Sequence, residues 1–155
     1  MAGFKIKTKN AAETVKIARV LAEKIERETI PRNRAIVLAL SGNLGSGKTT
    51  FVQGFAKALG TKQIPKSPTF ILMQAFSLPT TNNKQQTTTL IHIDCYRLNN
   101  HREILRLGLK EILADPHNIV VIEWAEKIKK LLPKDAVWIK FEHAGGNKRH
   151  ITIKP

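Results

Sequence analysis

The sequence predicts an α/β fold, with a mainly parallel central sheet flanked by helices and a C-terminal β-hairpin. The first observation is a set of short apolar runs, typical of strands buried on both faces, at residues 35–40, 90–94 and 119–123. The second is that helical periodicities alternate with these runs along the chain. The third is a pair of β-forming segments around Gly145 and Gly146. The length of 155 residues is that of one domain, taken as 1–155.

Two periodicities predict the N-terminal elements. Residues 4–8 alternate apolar and polar side chains, which indicates a short edge strand. Asn10 followed by Glu13 is typical of a helix N-cap with its return partner three residues on. The helix is expected to run to about Glu28. Its apolar face is predicted to consist of Val15, Ala18, Ala22 and Ile25.

A second helix is predicted after the run 35–40 and a glycine-rich turn. This helix begins at Lys48 and is expected to stop at Gly60, because glycine readily takes the backbone conformation that ends a helix. Its apolar side chains are Phe51, Phe55 and Leu59, spaced four residues apart.

The second half of the chain continues the alternation. Residues 70–76 form a predicted strand, and the polar segment 78–89 is either a surface loop or a hairpin turned at Asn82 and Asn83. The remaining predictions are helical residues 102–113 broken at Gly108, a short basic helix at 125–132, and hairpin strands at 136–142 and 150–153.

The charge balance is strongly basic. Twenty-six Lys and Arg residues oppose twelve Asp and Glu residues, which gives a formal net charge of +14 and a pI near 10.2. Such an excess attracts polyanions such as nucleic acid, although a generally solvated basic surface explains it equally well. The single cysteine, Cys95, excludes an internal disulfide. No apolar run reaches the length of a membrane span or a signal peptide, so we expect a soluble, cytoplasmic protein.

Residues 42–49 carry the strongest functional signal. They fit the pattern G-x-x-x-x-G-K-[ST], between a predicted buried strand and an amphipathic helix. In such a phosphate-binding loop (P-loop) the backbone N–H groups point at phosphate oxygens, Lys48 reaches the β- and γ-phosphates, and the Thr49 hydroxyl ligates Mg²⁺. The sequence lacks the N-K-x-D pattern of guanine recognition, so ATP is the expected nucleotide.

A P-loop also requires a carboxylate at the end of a neighbouring strand to hold the magnesium. Asp94 and Glu123 both end predicted strands. Either residue can also be a simple ion-pair partner, but two such carboxylates in one small domain favour a functional role. One arrangement has Asp94 as an outer magnesium contact and Glu123 as a direct ligand or a group that orients water.

Other kinds of P-loop protein remain open on these observations. A small-molecule kinase commonly has an arginine-bearing lid, and the segment 78–89 contains no Arg. A nucleotide-gated RNA-binding module is the other alternative, suggested by the net charge of +14.

Five motifs together resemble the TsaE (YjeE) family of small bacterial ATPases that act in tRNA threonylcarbamoyladenosine synthesis. They are Gly42-Asn-Leu-Gly-Ser-Gly-Lys-Thr-Thr-Phe51, Lys66-Ser67-Pro68-Thr69-Phe70, His92-Ile-Asp94-Cys-Tyr96-Arg97-Leu98, Leu107-Gly108 and Ile122-Glu123-Trp124. A P-loop alone is generic, whereas these elements in this order are specific. The resemblance covers nearly the whole chain.

The resemblance implies a set of site residues. ATP phosphates would be bound by the loop and the first turn of its helix, at Gly42, Gly45, Ser46, Gly47, Lys48, Thr49 and Thr50. Thr49 and Glu123 would hold Mg²⁺, Asp94 would act near the metal and the γ-phosphate, and the Thr69 hydroxyl would sense that phosphate. Asp94, Glu123 and Lys48 are thus the expected catalytic residues.

The resemblance also implies partners. The chain is expected to act with TsaD, which transfers the threonylcarbamoyl group to the tRNA adenosine beside the anticodon, and with TsaB. We expect a weak Mg²⁺-dependent ATPase that its partners stimulate, with possible contact to tRNA through the basic surface and no membrane association.

Overall fold

The computed structural model describes residues 3–28, 31–66, 72–79 and 87–154. These residues form one seven-stranded sheet with helices packed on it. The strands are β1 (Phe4–Thr8), β2 (Ile36–Ser41), β3 (Met73–Ser77), β4 (Thr89–Asp94), β5 (Asn118–Glu123), β6 (Val137–His143) and β7 (Arg149–Lys154). The helices are α1 (Ala11–Arg27), α2 (Lys48–Ala58), α3 (His101–Arg106), α4 (Leu109–Ala114) and a 3₁₀ helix, Ala125–Leu131.

The strand order is β1-β7-β6-β2-β5-β4-β3. The four central strands, β6, β2, β5 and β4, run parallel, and antiparallel partners extend the sheet at both edges. The predicted fold class is therefore confirmed, including the C-terminal hairpin of β6 and β7. The parallel register aligns the ends of β4 and β5, so that Asp94 lies opposite Glu123.

The central strands are buried on both faces because each face carries its own apolar core. On one face, Leu38 and Leu40 of β2 pack with α1 and α2, including Phe51 and Phe55. On the other face, Val37 and Ala39 pack with α3, α4 and the 3₁₀ helix. Alternate residues of one strand point to opposite faces, so a strand between two helical layers must be apolar throughout. This explains the continuous apolar runs of the sequence.

The first helix differs from its prediction at one position. Asn10 caps α1 as predicted, because its side chain accepts a hydrogen bond from the Glu13 N–H at 3.0 Å. Ala18, Ala22 and Ile25 are buried, but Val15 is partly exposed and Thr14 is buried instead. Val15 lies at the crossing with α2, where a Cβ on Gly54 would come within 3.0 Å of the valine side chain. The apolar face is thus rotated towards the neighbouring helix.

Other boundaries differ more modestly. The strand predicted at 70–76 is β3 at Met73–Ser77, and the segment predicted to turn at Asn82 and Asn83 connects two antiparallel strands but lies outside the described residues. The helical region breaks at Gly108 as predicted. The basic helix at 125–132 is a 3₁₀ helix that kinks at Ile128.

Candidate functional site

The glycine-rich turn connects the end of β2 to the start of α2. Gly47 adopts φ = 102° and Gly42 adopts φ = 137°, a region that side chains with a Cβ rarely enter. Gly42 is restricted further, because a Cβ there would lie 2.3 Å from the carbonyl oxygen of Phe141. The turn therefore packs directly against strand β6. Only glycine at these positions allows the tight curve that precedes α2.

Helix α2 begins at Lys48, directly after this turn. The first four N–H groups of a helix have no partner within it, and the preceding residue, Gly47, has no side chain to cap them. These groups and the positive end of the helix dipole attract anions. The loop and the first turn of α2 therefore offer uncapped N–H groups and a positive helix end at the predicted phosphate site.

The Lys48 side chain is folded back onto the loop. Its Nζ donates hydrogen bonds to the carbonyl oxygens of Gly42 at 2.6 Å and Asn43 at 3.0 Å, and it lies 4.2 Å from the centroid of the Trp124 ring. Burial lowers the pKa of Lys48, while the carboxylates of Glu123, Glu126 and Asp94 act in the opposite direction. The buried ammonium is thus held by carbonyl oxygens that phosphate oxygens can replace.

Thr49, in the first turn of α2, contacts Glu123, the last residue of β5. The Thr49 hydroxyl donates to Oε2 of Glu123 at 3.0 Å and lies 3.3 Å from Oε1. Oε1 is also 3.0 Å from Nε2 of His92, on the adjacent strand β4. Glu123 is only 2% exposed. A carboxylate this deeply buried needs hydrogen-bond donors, and Thr49 and His92 provide them.

Asp94 ends the neighbouring strand in a different environment. It is half-buried, and its Oδ1 accepts a hydrogen bond from the Tyr96 N–H at 2.9 Å, closing the turn after β4. The next residue, Cys95, is fully buried, and burial together with the Asp94 charge raises the pKa of its thiol to about 12. The thiol stays protonated at neutral pH, so Cys95 is no nucleophile.

Trp124 follows Glu123 in an unusual backbone conformation. Its φ of 57° is the only positive value at a non-glycine residue within the described parts of the chain. A bulky residue in this region is strained, and such strain is concentrated at functional sites. The conformation turns the chain from β5 into the 3₁₀ helix and places the indole over Lys48 and 5.0 Å from the Tyr96 ring. Trp124 thus lines the site.

These side chains surround a cavity of about 210 Å³. The residues that line it are Leu44, Gly45, Ser46, Gly47, Lys48, Thr49, Thr50, Asp94, Tyr96, Glu123, Trp124 and Arg149. The structure thus brings together most of the predicted site residues. Gly42, the first residue of the loop, packs against Phe141 and does not line the cavity. Thr69 lies outside the described residues.

Arg149 is the cavity residue that the sequence did not indicate. It begins β7, about a hundred positions after the loop, and its Nη2 donates to the carbonyl oxygen of Gly45 at 3.3 Å. Its Nε lies 3.8 Å from the position of a Cβ on Gly47. No local pattern marks an arginine at the start of a hairpin strand. Its place beside the loop follows from the pairing of β6 with β2 and of β7 with β6.

The donor set suits magnesium. Thr49, Asp94 and Glu123 contribute only hydroxyl and carboxylate oxygens, the ligands that this hard cation prefers. Among residues 3–28, 31–66, 72–79 and 87–154, no group of three or more His, Cys, Asp and Glu side chains forms a metal site.

A larger cavity of about 830 Å³ lies elsewhere, between α1 and the strands β1, β2, β6 and β7. It is lined chiefly by aliphatic side chains, such as Ile17, Leu21 and Ile36, and it shares no residue with the loop cavity. Convergent donors and ionisable groups, rather than size, identify a site of chemistry.

In the described residues, no helix is long and apolar enough to cross a membrane.

Comparisons with known proteins match nearly the whole chain. The family model described as "Threonylcarbamoyl adenosine biosynthesis protein TsaE" matches residues 8–151. A Bacillus subtilis protein named tRNA threonylcarbamoyladenosine biosynthesis protein TsaE is 35% identical over 153 residues, covering 99% of this chain and 86% of that protein. A Rickettsia felis protein of the same name is 35% identical over 145 residues, covering 93% of this chain and 75% of its own length.

The likeness extends to a solved structure. The crystal structure of Bacillus subtilis YdiB superimposes with a TM-score of 0.71 at 32% identity. The match covers 99% of this chain and 86% of YdiB. At this level the structures share one fold, including the sheet on which the loop cavity is built.

Proposed function

The chain belongs to the TsaE family of threonylcarbamoyl adenosine biosynthesis proteins, and we propose that it is the subunit that binds and hydrolyses ATP in that synthesis. Its role lies in the threonylcarbamoyl modification of tRNA, after which its curated relatives are named. The observation that carries the ATPase proposal is the contact of Thr49 with Glu123 at the mouth of the loop. That contact joins the residue types by which P-loop proteins hold magnesium.

The loop supports binding of a triphosphate. The first turn of α2 has no side-chain cap, so its N–H groups are available to phosphate oxygens, and Lys48 would exchange its bonds to Gly42 and Asn43 for such oxygens. Arg149 adds a second cation at the cavity wall. Its planar guanidinium suits phosphate oxygens, which accept several of its N–H donors at once.

Thr49, Glu123 and Asp94 would hold Mg²⁺, which when bound neutralises charge on the transferring phosphoryl group. Glu123 is rigidly held by hydrogen bonds, which favours a direct contact with the metal or its water. Asp94 is half-buried and lies opposite Glu123 in the register, which favours an outer contact. Thr69 is proposed as the γ-phosphate sensor, from the family motif alone.

Partner proteins of the pathway are implied by the family, and we propose that TsaD and TsaB are those partners. The part of the chain that the structure describes shows no set of side chains suited to transferring a threonylcarbamoyl group. ATP turnover would therefore serve the assembly rather than a substrate of this subunit. The net charge of +14 suits contact with tRNA in that assembly. The cytoplasmic location stays a prediction.

The test is ATP hydrolysis by the purified chain, alone and with TsaD and TsaB from the same source. We expect slow hydrolysis alone and faster hydrolysis with the partners. Lys48→Ala should reduce the rate at least about 100-fold, because a preorganised cation at the phosphates is lost. The matched control is Lys57→Ala on the same helix, since Lys57 is exposed and lies outside the cavity.

Three results would contradict the proposal. The first is hydrolysis that needs no Mg²⁺ and proceeds at the same rate in the native chain, Lys48→Ala and Lys57→Ala. The second is hydrolysis that depends on an added metabolite and yields a phosphorylated product, which is the behaviour of a kinase. The third is modification of tRNA by TsaD and TsaB at full rate without this chain, which would show that the modification does not require it.

A further inference from the structure

His92 occupies a position in the site that the phosphate chemistry does not explain. Its side chain is fully buried, at 0% exposure, and it lies on β4 two residues before Asp94. Its Nε2 is 3.0 Å from Oε1 of Glu123. It does not line the loop cavity, so it meets a bound nucleotide only through Glu123.

The chemistry of this contact determines where the ring proton lies. An ionised carboxylate offers only lone pairs, so the facing nitrogen must carry hydrogen for the contact to be attractive. The other ring nitrogen, Nδ1, is buried with no hydrogen-bond partner among the described residues. A ring with hydrogen on Nε2 alone makes the contact to Glu123 and leaves no buried N–H without a partner.

The two carboxylate oxygens of Glu123 also have different nearest partners. Oε1 faces His92 at 3.0 Å, whereas Oε2 is the oxygen nearer the Thr49 hydroxyl, at 3.0 Å against 3.3 Å for Oε1. The Thr49 hydroxyl is also the group that a P-loop gives to Mg²⁺. A hydroxyl has one hydrogen and two lone pairs, so Thr49 can donate to Glu123 and still offer a lone pair to the metal. Because Thr49 contacts the Oε2 side of the carboxylate more closely, His92 is the side chain that holds Oε1.

We propose that His92 is a positioning residue, which fixes the Glu123 carboxylate by donating Nε2–H to Oε1 and leaves Oε2 facing the loop. This proposal rests on the proposed ATPase function. It identifies a residue outside the cavity wall that sets the geometry of the metal-binding carboxylate. Outer groups of this kind typically change metal affinity or activity by about 10- to 100-fold when they are replaced.

Two variants separate positioning from packing. His92→Phe keeps a flat ring but removes the donor. His92→Gln retains a neutral N–H donor at the end of a side chain of similar reach. Leu90→Val is the matched control, because Leu90 is a buried residue two positions earlier on the same face of β4 with no polar contact.

We expect His92→Phe to lower kcat for ATP hydrolysis about 10- to 100-fold. The ATP affinity measured calorimetrically without Mg²⁺ should stay within about 2-fold, while the gain in affinity on adding Mg²⁺ should disappear. His92→Gln should restore most of both properties, and Leu90→Val should change neither. A folded His92→Phe variant with native kcat, or a His92→Gln variant as impaired as His92→Phe, overturns the proposal.

A direct readout needs neither ATP nor a variant. Two-bond ¹H–¹⁵N NMR of the nucleotide-free native protein should show the His92 ring with hydrogen on Nε2 and a bare Nδ1. Hydrogen on Nδ1 alone overturns the proposal, even if the variants fail to fold. A native chain that binds no ATP would instead contradict the proposed function, and the NMR result would still decide the His92 contact.

Discussion

The ends of β4 and β5 carry the same signal in the sequence and have different structures. Each strand is apolar and ends in a carboxylate, and the register places Asp94 opposite Glu123. Glu123 is 2% exposed and receives hydrogen bonds from Thr49 and His92. Asp94 is half-buried and accepts from the backbone of its own turn, at Tyr96.

The difference comes from the strand order. β5 lies between β2 and β4 in the sheet, so its end faces the loop that leaves β2 and the side chains of β4. β4 is one strand farther from the loop, beside the antiparallel strand β3. β5, next to β2, thus supplies Glu123, the carboxylate that contacts Thr49. β4, one strand farther away, supplies Asp94. Two substitutions test this distinction, and a third tests the burial of Cys95, the residue after Asp94.

The largest effect is expected at Glu123. Glu123→Gln should reduce kcat for ATP hydrolysis about 100-fold or more, because it keeps the shape but removes the charge that would hold the metal or activate water. The amide can still accept from Thr49, so the fold should persist. The measurement is steady-state hydrolysis at saturating Mg²⁺ and ATP. The control is Glu126→Gln, at an exposed position three residues on. An equal loss of kcat in both variants would show that Glu123 has no specific role in the site.

Asp94 should show a smaller loss. Asp94→Asn retains the oxygen that accepts the Tyr96 N–H, and thus the turn, but lacks the charge. We expect kcat to fall about 10-fold, with a Tm within about 2 °C of native, because a neutral acceptor replaces a charged one in a half-buried turn. An Asp94 variant more impaired than Glu123→Gln would reverse the assignment of direct and outer roles. Circular-dichroism melting and hydrolysis rates together decide the question.

The smallest effect concerns the residue after Asp94. The pKa of the Cys95 thiol is raised to about 12 in the folded state by burial, against 9.0 ordinarily. The unfolded chain therefore releases its proton first, and this part of the stability is lost as the pH rises from about 9 towards 12. At pH 10 the loss should be about 1 kcal/mol. Native protein should thus lose more stability than Cys95→Ala between pH 8 and pH 10 in urea unfolding.

Parallel pH profiles of the native protein and Cys95→Ala would contradict a buried, protonated thiol. A thiol reagent provides a second check, because Cys95 should remain unlabelled at pH 8 until the protein unfolds. Cys95→Ala should hydrolyse ATP at the native rate, since the thiol does not line the loop cavity.

Local chemistry made much of this fold predictable. The apolar run 35–40 and the glycine-rich turn predicted β2 and the start of α2 within one or two residues. Helix α1 was predicted with its N-cap at Asn10. Its buried face was less predictable, because Thr14 is buried whereas Val15, which lies against Gly54 of α2, is 36% exposed. A period of 3.6 residues specifies that a helix has an apolar face, but neighbouring elements decide its exact rotation.

The sequence by itself determined the glycine-rich loop before α2, because the conformations of Gly42 and Gly47 and the side chains of Lys48 and Thr49 lie within eight consecutive residues. Only the tertiary structure decided which distant side chains meet the loop. His92 on Glu123, Arg149 on Gly45 and Trp124 over Lys48 all depend on strand order and register. A shift of one residue in a strand moves every side chain to the opposite face, so such contacts exist only once the sheet has formed.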